Sequence, residues 1–130
     1  MGEKCAATKP RGDTPPGVTP KQSGVNYGNG KLWVSLWPDG RVIARHEDIK
    51  ADGSIDVKFG WWRGVQGQLV ISARRLDSAS PPARGDVPTG YGDQFFQASS
   101  ITFPTEGCWA VRGQVGADSL EFVTEIVRGS

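Results

Sequence analysis

Hydrophobic and polar positions alternate with a period of two over much of the chain. The clearest case runs from Ser54 to Trp62. Ile55, Val57, Phe59 and Trp61 mark one face, while Asp56, Lys58, Gly60 and Trp62 mark the other. Strict alternation of this kind reads as a half-buried β-strand. Six further runs, at residues 32–37, 42–46, 68–76, 95–103, 108–115 and 120–127, are rich in β-branched and aromatic residues. Between them stand turn sequences such as Pro38-Asp39-Gly40, Gly64-Val65-Gln66-Gly67, Pro104-Thr105-Glu106-Gly107 and Gly116-Ala117-Asp118-Ser119. Proline presets φ and glycine supplies positive φ, so each of these punctuates the chain. Neighbouring runs are expected to pair as hairpins: 32–37 with 42–46, the Ile55 strand with 68–76, and the last three as a meander. About seven short strands of this kind, without helical periodicity, predict an all-β domain built as a two-sheet antiparallel sandwich. Trp109, Val111, Gly113 and Val115 share a face, and Trp109 is the expected centre of the core.

Two segments break the rhythm. Residues 1–30 hold Pro10, Pro15, Pro16, Pro20 and six glycines, with Tyr27 the one large aromatic. Such a stretch buries too little surface to offset its ordering entropy, which predicts a flexible, disordered tether ahead of a domain at 31–130. Residues 77–94, with Pro81, Pro82, Pro88, Gly85, Gly90, Tyr91 and Gly92, read as a long crossover between sheets or as a contact loop.

Composition narrows the function classes. The chain has 130 residues, enough for one domain with its own core. Its 15 basic and 14 acidic residues leave a net charge of +1, without the basic field that nucleic acid or an anionic membrane needs. No apolar run approaches the roughly 20 residues of a membrane span. Met1-Gly2-Glu3-Lys4 lacks the apolar region of a secretory signal. Cys5 and Cys108 leave two readings open. A disulfide between them implies an oxidising compartment. The plainer expectation is a buried Cys108 thiol and an unrelated Cys5 in the tail.

Catalytic chemistry is poorly supplied. His46 is the single histidine, and although it pairs in principle with Cys108, no nucleophile motif surrounds either. One histidine and two cysteines do not make a zinc or copper set, and Asp52, Asp56, Asp86 and Asp93 follow no calcium-loop pattern. The expectation is therefore a protein that is not an enzyme and uses no cofactor or metal. Arg-Gly-Asp occurs at Arg11–Asp13 and again at Arg84–Asp86, where solvent-facing turn chemistry is the expected role. Five tryptophans invite a different reading, because indole faces stack on sugar rings. Trp33 and Trp37 share a face of one strand, and adjacent Trp61 and Trp62 must point to opposite sides of theirs. Trp33, Trp37 and Trp62, with Tyr91 in the 77–94 segment, form the candidate ligand-binding set.

The segments LWVSLWPDG, KFGWWRGVQGQLVISARRLD, VPTGYGDQFFQASSITFPTEGCWAVRGQVG and LEFVTEIV resemble a family of uncharacterised bacterial lipoproteins, and Phe103-Pro104-Thr105-Glu106-Gly107-Cys108-Trp109 is the most specific part. The same TEGCW segment resembles the penultimate strand of immunoglobulin-like domains. The resemblance implies an immunoglobulin-like sandwich, export from a bacterial cell and surface anchoring, with Cys5 as the lipid-bearing residue. Lys4 stands where a lipobox has a small residue. The expected function is a non-enzymatic, extracytoplasmic binding or interaction domain for a protein or glycan, held at the membrane only through a lipid anchor. The alternative is a carbohydrate-binding accessory module that uses exposed tryptophans.

Overall fold

The computed structural model describes residues 5–15, 17 and 26–129. Nine strands follow in chain order: β1 (Asn26–Gly28), β2 (Leu32–Ser35), β3 (Arg41–Ala44), β4 (Ile55–Arg63), β5 (Val70–Arg75), β6 (Ala83–Asp86), β7 (Phe95–Phe103), β8 (Gly107–Val115) and β9 (Asp118–Arg128). Two short 3-10 turns lie at Pro38–Gly40 and His46–Asp48, and no α-helix occurs among the described residues. The all-β expectation holds. The layering differs: the strands form one mixed sheet in the order β1-β2-β4-β7-β6-β5-β8-β9-β3. Every neighbouring pair is antiparallel except β3 and β9, which run parallel.

This sheet curls into a half-barrel whose concave side is the core. Phe59 and Trp61 of β4 lie 5.3 and 5.9 Å from the ring of Phe122 on β9, although four strands separate β4 from β9 in the sheet. Trp61 comes so close to β8 that a Cβ on Gly113 would stand 2.5 Å from its ring, so only glycine fits there. Its indole N–H donates to Ser99 Oγ at 3.0 Å, and that hydroxyl donates to Phe59 O at 2.7 Å. Trp109 is fully buried, as its alternation predicts. It packs edge-on against Phe103 at 5.2 Å and donates to Thr105 O at 3.2 Å.

One of the two extra strands explains why one sheet replaces the expected two. β6 lies inside the segment read as a crossover and bridges β5 and β7, so the two layers become continuous. Its sequence Ala-Arg-Gly-Asp carries no apolar alternation to announce it. Strands β8-β5-β6-β7 make a Greek key, with β8 returning beside β5. Pairing also departs from the hairpins expected. β2 joins β1 and β4 rather than β3, β4 joins β7 rather than β5, and only β8 and β9 of the last three form a hairpin.

The chain ahead of Lys31 has structure where it is described; Met1–Lys4, Pro16 and residues 18–25 of the expected tether lie outside the described residues. Cys5 is bridged to Cys108, a correction to the reading of two unrelated thiols. A sulfur in that bond is unavailable for a thioether lipid. Thr8 donates its N–H to Val123 O, and Val123 N–H donates to Thr8 Oγ1, both at 2.8 Å. Thr8 thus occupies the edge of β9 just before the register of β3 begins at Glu125. The Arg11 and Gly12 N–H groups then reach Asn26 O on β1 at 3.0 and 3.1 Å, and Gly28 N–H donates to Asp13 Oδ2 at 2.8 Å. Residues 5–13 therefore strap the β9 side of the curled sheet to its β1 edge.

Two stability outcomes follow. Trp109→Ala should cost about 3–5 kcal/mol in urea unfolding, and a loss under 1 kcal/mol would contradict its place in the core. Removing the bridge with Cys5→Ser and Cys108→Ser together should cost about 2–5 kcal/mol, because the bond closes a long loop across 103 residues. Equal stability of the oxidised protein and the double variant would contradict the bridge.

Candidate functional site

The convex side of the sheet carries the residues that alternation turns away from the core. Trp33 on β2 is the register partner of Trp62 on β4, and Trp62 is in turn the partner of Phe96 on β7. Three aromatic side chains therefore stand in a row across three neighbouring strands. At about 4.8 Å between strands, the row is about 10 Å wide. The neighbouring backbone is shaped for it. A Cβ on Gly28 would collide with the Trp33 indole at 2.1 Å, and one on Gly60 would come within 3.1 Å of Phe96. The rings lie down over these glycines and leave a cleft of about 340 Å³. Pro15 and Gly17 border it on the side of the strap, with Asn26 and Ser35 supplying polar groups. Ser35 Oγ donates to Asn26 Oδ1 at 3.1 Å.

The inner and outer tryptophans differ in their polar handles. Trp61 and Trp109 donate their indole N–H groups inside the protein. Among the described residues, neither Trp33 nor Trp62 has such a partner, and no buried side-chain polar atom lacks one. Trp33 lines the cleft although it is only 6% exposed.

A second tier of aromatics extends the row. Phe95 packs against Trp62 at 5.6 Å, and Tyr91 meets Phe96 edge-on at 5.7 Å. Tyr91 comes from the loop before β7 and Phe95 from the first residue of β7, both gathered around one cation. Arg63 is 1% exposed and points inward from the end of β4. Its guanidinium donates to five carbonyls: Phe95 O and Gly67 O at 3.2 and 2.9 Å, then Tyr91 O, Gly92 O and Gln94 O at 3.1, 3.2 and 3.2 Å. Burial pulls its pKa below the usual arginine value, and Asp93 opposes that shift. It stays charged at neutral pH, since arginine does not deprotonate in proteins. The grip also explains Phe95, whose φ of 69° is a conformation that bulky residues avoid without such a tie.

Of the tryptophan set read from the sequence, Trp33 and Trp62 come together and Trp37 does not. β2 ends at Ser35, and Trp37 stands 40% exposed beside Ile43, Arg41 and strap residues Ala7 and Lys9. Tyr91 borders the row through Phe96. The first Arg-Gly-Asp is engaged internally: Arg11 pairs with Asp13 at 2.8 Å and stacks over Tyr27 at 4.5 Å. Gly28 N–H first and Arg11 second hold the Asp13 carboxyl below its ordinary pKa. The second lies in β6, paired on both sides, and is not a loop. Cys108 is bridged, so it holds no thiolate for His46 to activate. Among the described residues, no group of three or more His, Cys, Asp or Glu side chains is placed to hold a metal. Phe96 and Arg63 were not singled out from the sequence. Phe95-Phe96 carried the same signal as Trp61-Trp62, two adjacent aromatics of which one must face outward.

Comparison with family models, curated proteins and solved structures gives no match.

Arg63→Met should destabilise the protein by about 1–3 kcal/mol and speed hydrogen exchange across residues 87–95, because the carbonyls lose their shared donor. Unchanged exchange in that loop would show that the cation does not organise it.

Proposed function

We propose that this chain is a non-enzymatic, extracytoplasmic bacterial binding domain whose ligand lies on the row Trp33–Trp62–Phe96. The observation that carries this reading is the register itself, which lines up three aromatic side chains above a glycine floor. Trp62 and Phe96 lie outside the buried core cluster, Phe96 being 49% exposed, and a cleft of this size suits a small rigid group. The Cys5–Cys108 bridge supports an oxidising compartment. From the lipoprotein resemblance the reading takes export and surface display, without lipid on Cys5 and without the immunoglobulin-like layering.

A second, narrower reading is a carbohydrate-binding module, and it is favoured by the indole N–H groups of Trp33 and Trp62, which have no partner among the described residues. A pyranose offers an apolar ring face to stack on Trp62 and Phe96 and a hydroxyl edge for the N–H of Trp33 and the groups of Asn26 and Ser35.

A glycan array followed by calorimetry on the best neutral oligosaccharide tests the site. Trp62→Ala should weaken binding by tenfold or more, about 1.4 kcal/mol, and Trp37→Ala should leave it unchanged. Retained binding in Trp62→Ala, or equal loss in both variants, would move the ligand elsewhere. An array with no retained glycan would reject the carbohydrate reading.

A further inference from the structure

The chain has nine arginines, and their partners sort them. Five face carboxylates: Arg11 with Asp13, Arg41 with Glu125, Arg45 with Glu47 and Asp48, Arg75 with Asp77 and Arg128 with Glu106. Arg63 is buried among carbonyls. The remaining three, Arg74, Arg84 and Arg112, are exposed and have no ion pair among the described residues. These three are neighbours. Ser72 on β5 is the register partner of Arg84 on β6 and of Arg112 on β8, so the two arginines flank it. Arg74 is the next outward residue along β5. The Arg84 and Arg112 backbones are about 10 Å apart across the sheet, and Arg74 lies about 7 Å further along the strand. Two carboxylates lie within the same face: Glu121 on β9 is the direct register partner of Arg112, and Asp86 is the next outward residue after Arg84 on β6.

We propose that Arg74, Arg84 and Arg112 form a second binding surface on the convex face, for an acidic polysaccharide bearing carboxylate or sulfate groups. Guanidinium forks pair with either anion through two parallel hydrogen bonds. Three forks spread over about 10 Å on a convex sheet face do not converge on one small ion; they match a chain with repeated charges. The choice of a glycan over nucleic acid rests on the extracytoplasmic reading above, which the Cys5–Cys108 bridge supports. The surface lies on β5, β6 and β8, away from the aromatic cleft on β1, β2, β4 and β7, so each stands or falls alone.

The test is surface plasmon resonance of the full chain against dextran sulfate, alginate, neutral dextran and single-stranded DNA. Dextran sulfate or alginate should bind in a salt-sensitive way, and the stronger of the two identifies the anion. Substituting Arg74, Arg84 and Arg112 together by Gln should weaken that binding by about tenfold or more. A control with the same charge change, Arg41→Gln with Arg45→Gln and Arg128→Gln, should stay within about threefold of wild type. Equal loss in the cluster and control variants would reduce the effect to overall charge and overturn the proposal. So would failure of both acidic polymers to bind, or tighter binding of DNA. Circular dichroism of each variant confirms that the exposed substitutions leave the fold intact.

Discussion

Three consecutive residues at the end of β4 carry the structure, because the pleat of a strand sends them to alternate sides. Trp61 goes inward and holds the curl: its ring lies on Gly113, packs on Phe122 and bonds to Ser99, drawing the β4 side onto β8 and β9. Trp62 goes outward and becomes the middle of the aromatic row. Arg63 goes inward again, at the rim, and gathers the loop that delivers Tyr91 and Phe95. Core, cleft and loop are thus coupled through one short stretch of backbone. A shift of one residue in the β4 register would exchange the inward and outward sets and undo all three.

A curled sheet that does not close on itself leaves two edges with unpaired backbone groups, a liability for stability and for aggregation. Here β3 covers part of the β9 edge in parallel, and residues 5–13 continue along it before crossing to β1. The Cys5–Cys108 bond fixes one end of this strap, and the Arg11–Asp13 clip over Tyr27 fixes the other. Asp13 has a depressed pKa, so its contribution is present near neutral pH and fades as pH falls through that lowered value. The strap also has a consequence on the convex face, since Pro15 and Gly17 just beyond it border the cleft.

Much of this was legible in the residues. The sequence named strands at 54–62, 95–103 and 108–115, and for the first and last of these the residues sharing a face; Trp109 sits in the core where that pattern puts it. Partnership was not legible. Pro38-Asp39-Gly40 and Pro104-Thr105-Glu106-Gly107 turn the chain whether the next strand pairs with the last one or crosses to the far side of the sheet. β6 stayed hidden because a four-residue strand in mid-sheet needs no apolar side chains of its own on the convex face. In the site, the pleat alone put one of Trp61 and Trp62 outside. Trp37 misled because i and i+4 share a face only while the strand continues, and β2 stops at Ser35. The carbonyl cage of Arg63 depends on a folded loop and leaves no mark in sequence.

The division between inner and outer indoles can be observed directly in the ¹⁵N-labelled protein, where each tryptophan gives its own side-chain N–H signal. On titration with cellohexaose and chitohexaose, the account requires the Trp33 and Trp62 signals to move together while those of Trp61, Trp109 and Trp37 hold still. Movement confined to Trp37 or to the inner pair, with Trp33 and Trp62 unchanged at saturating oligosaccharide, would contradict it.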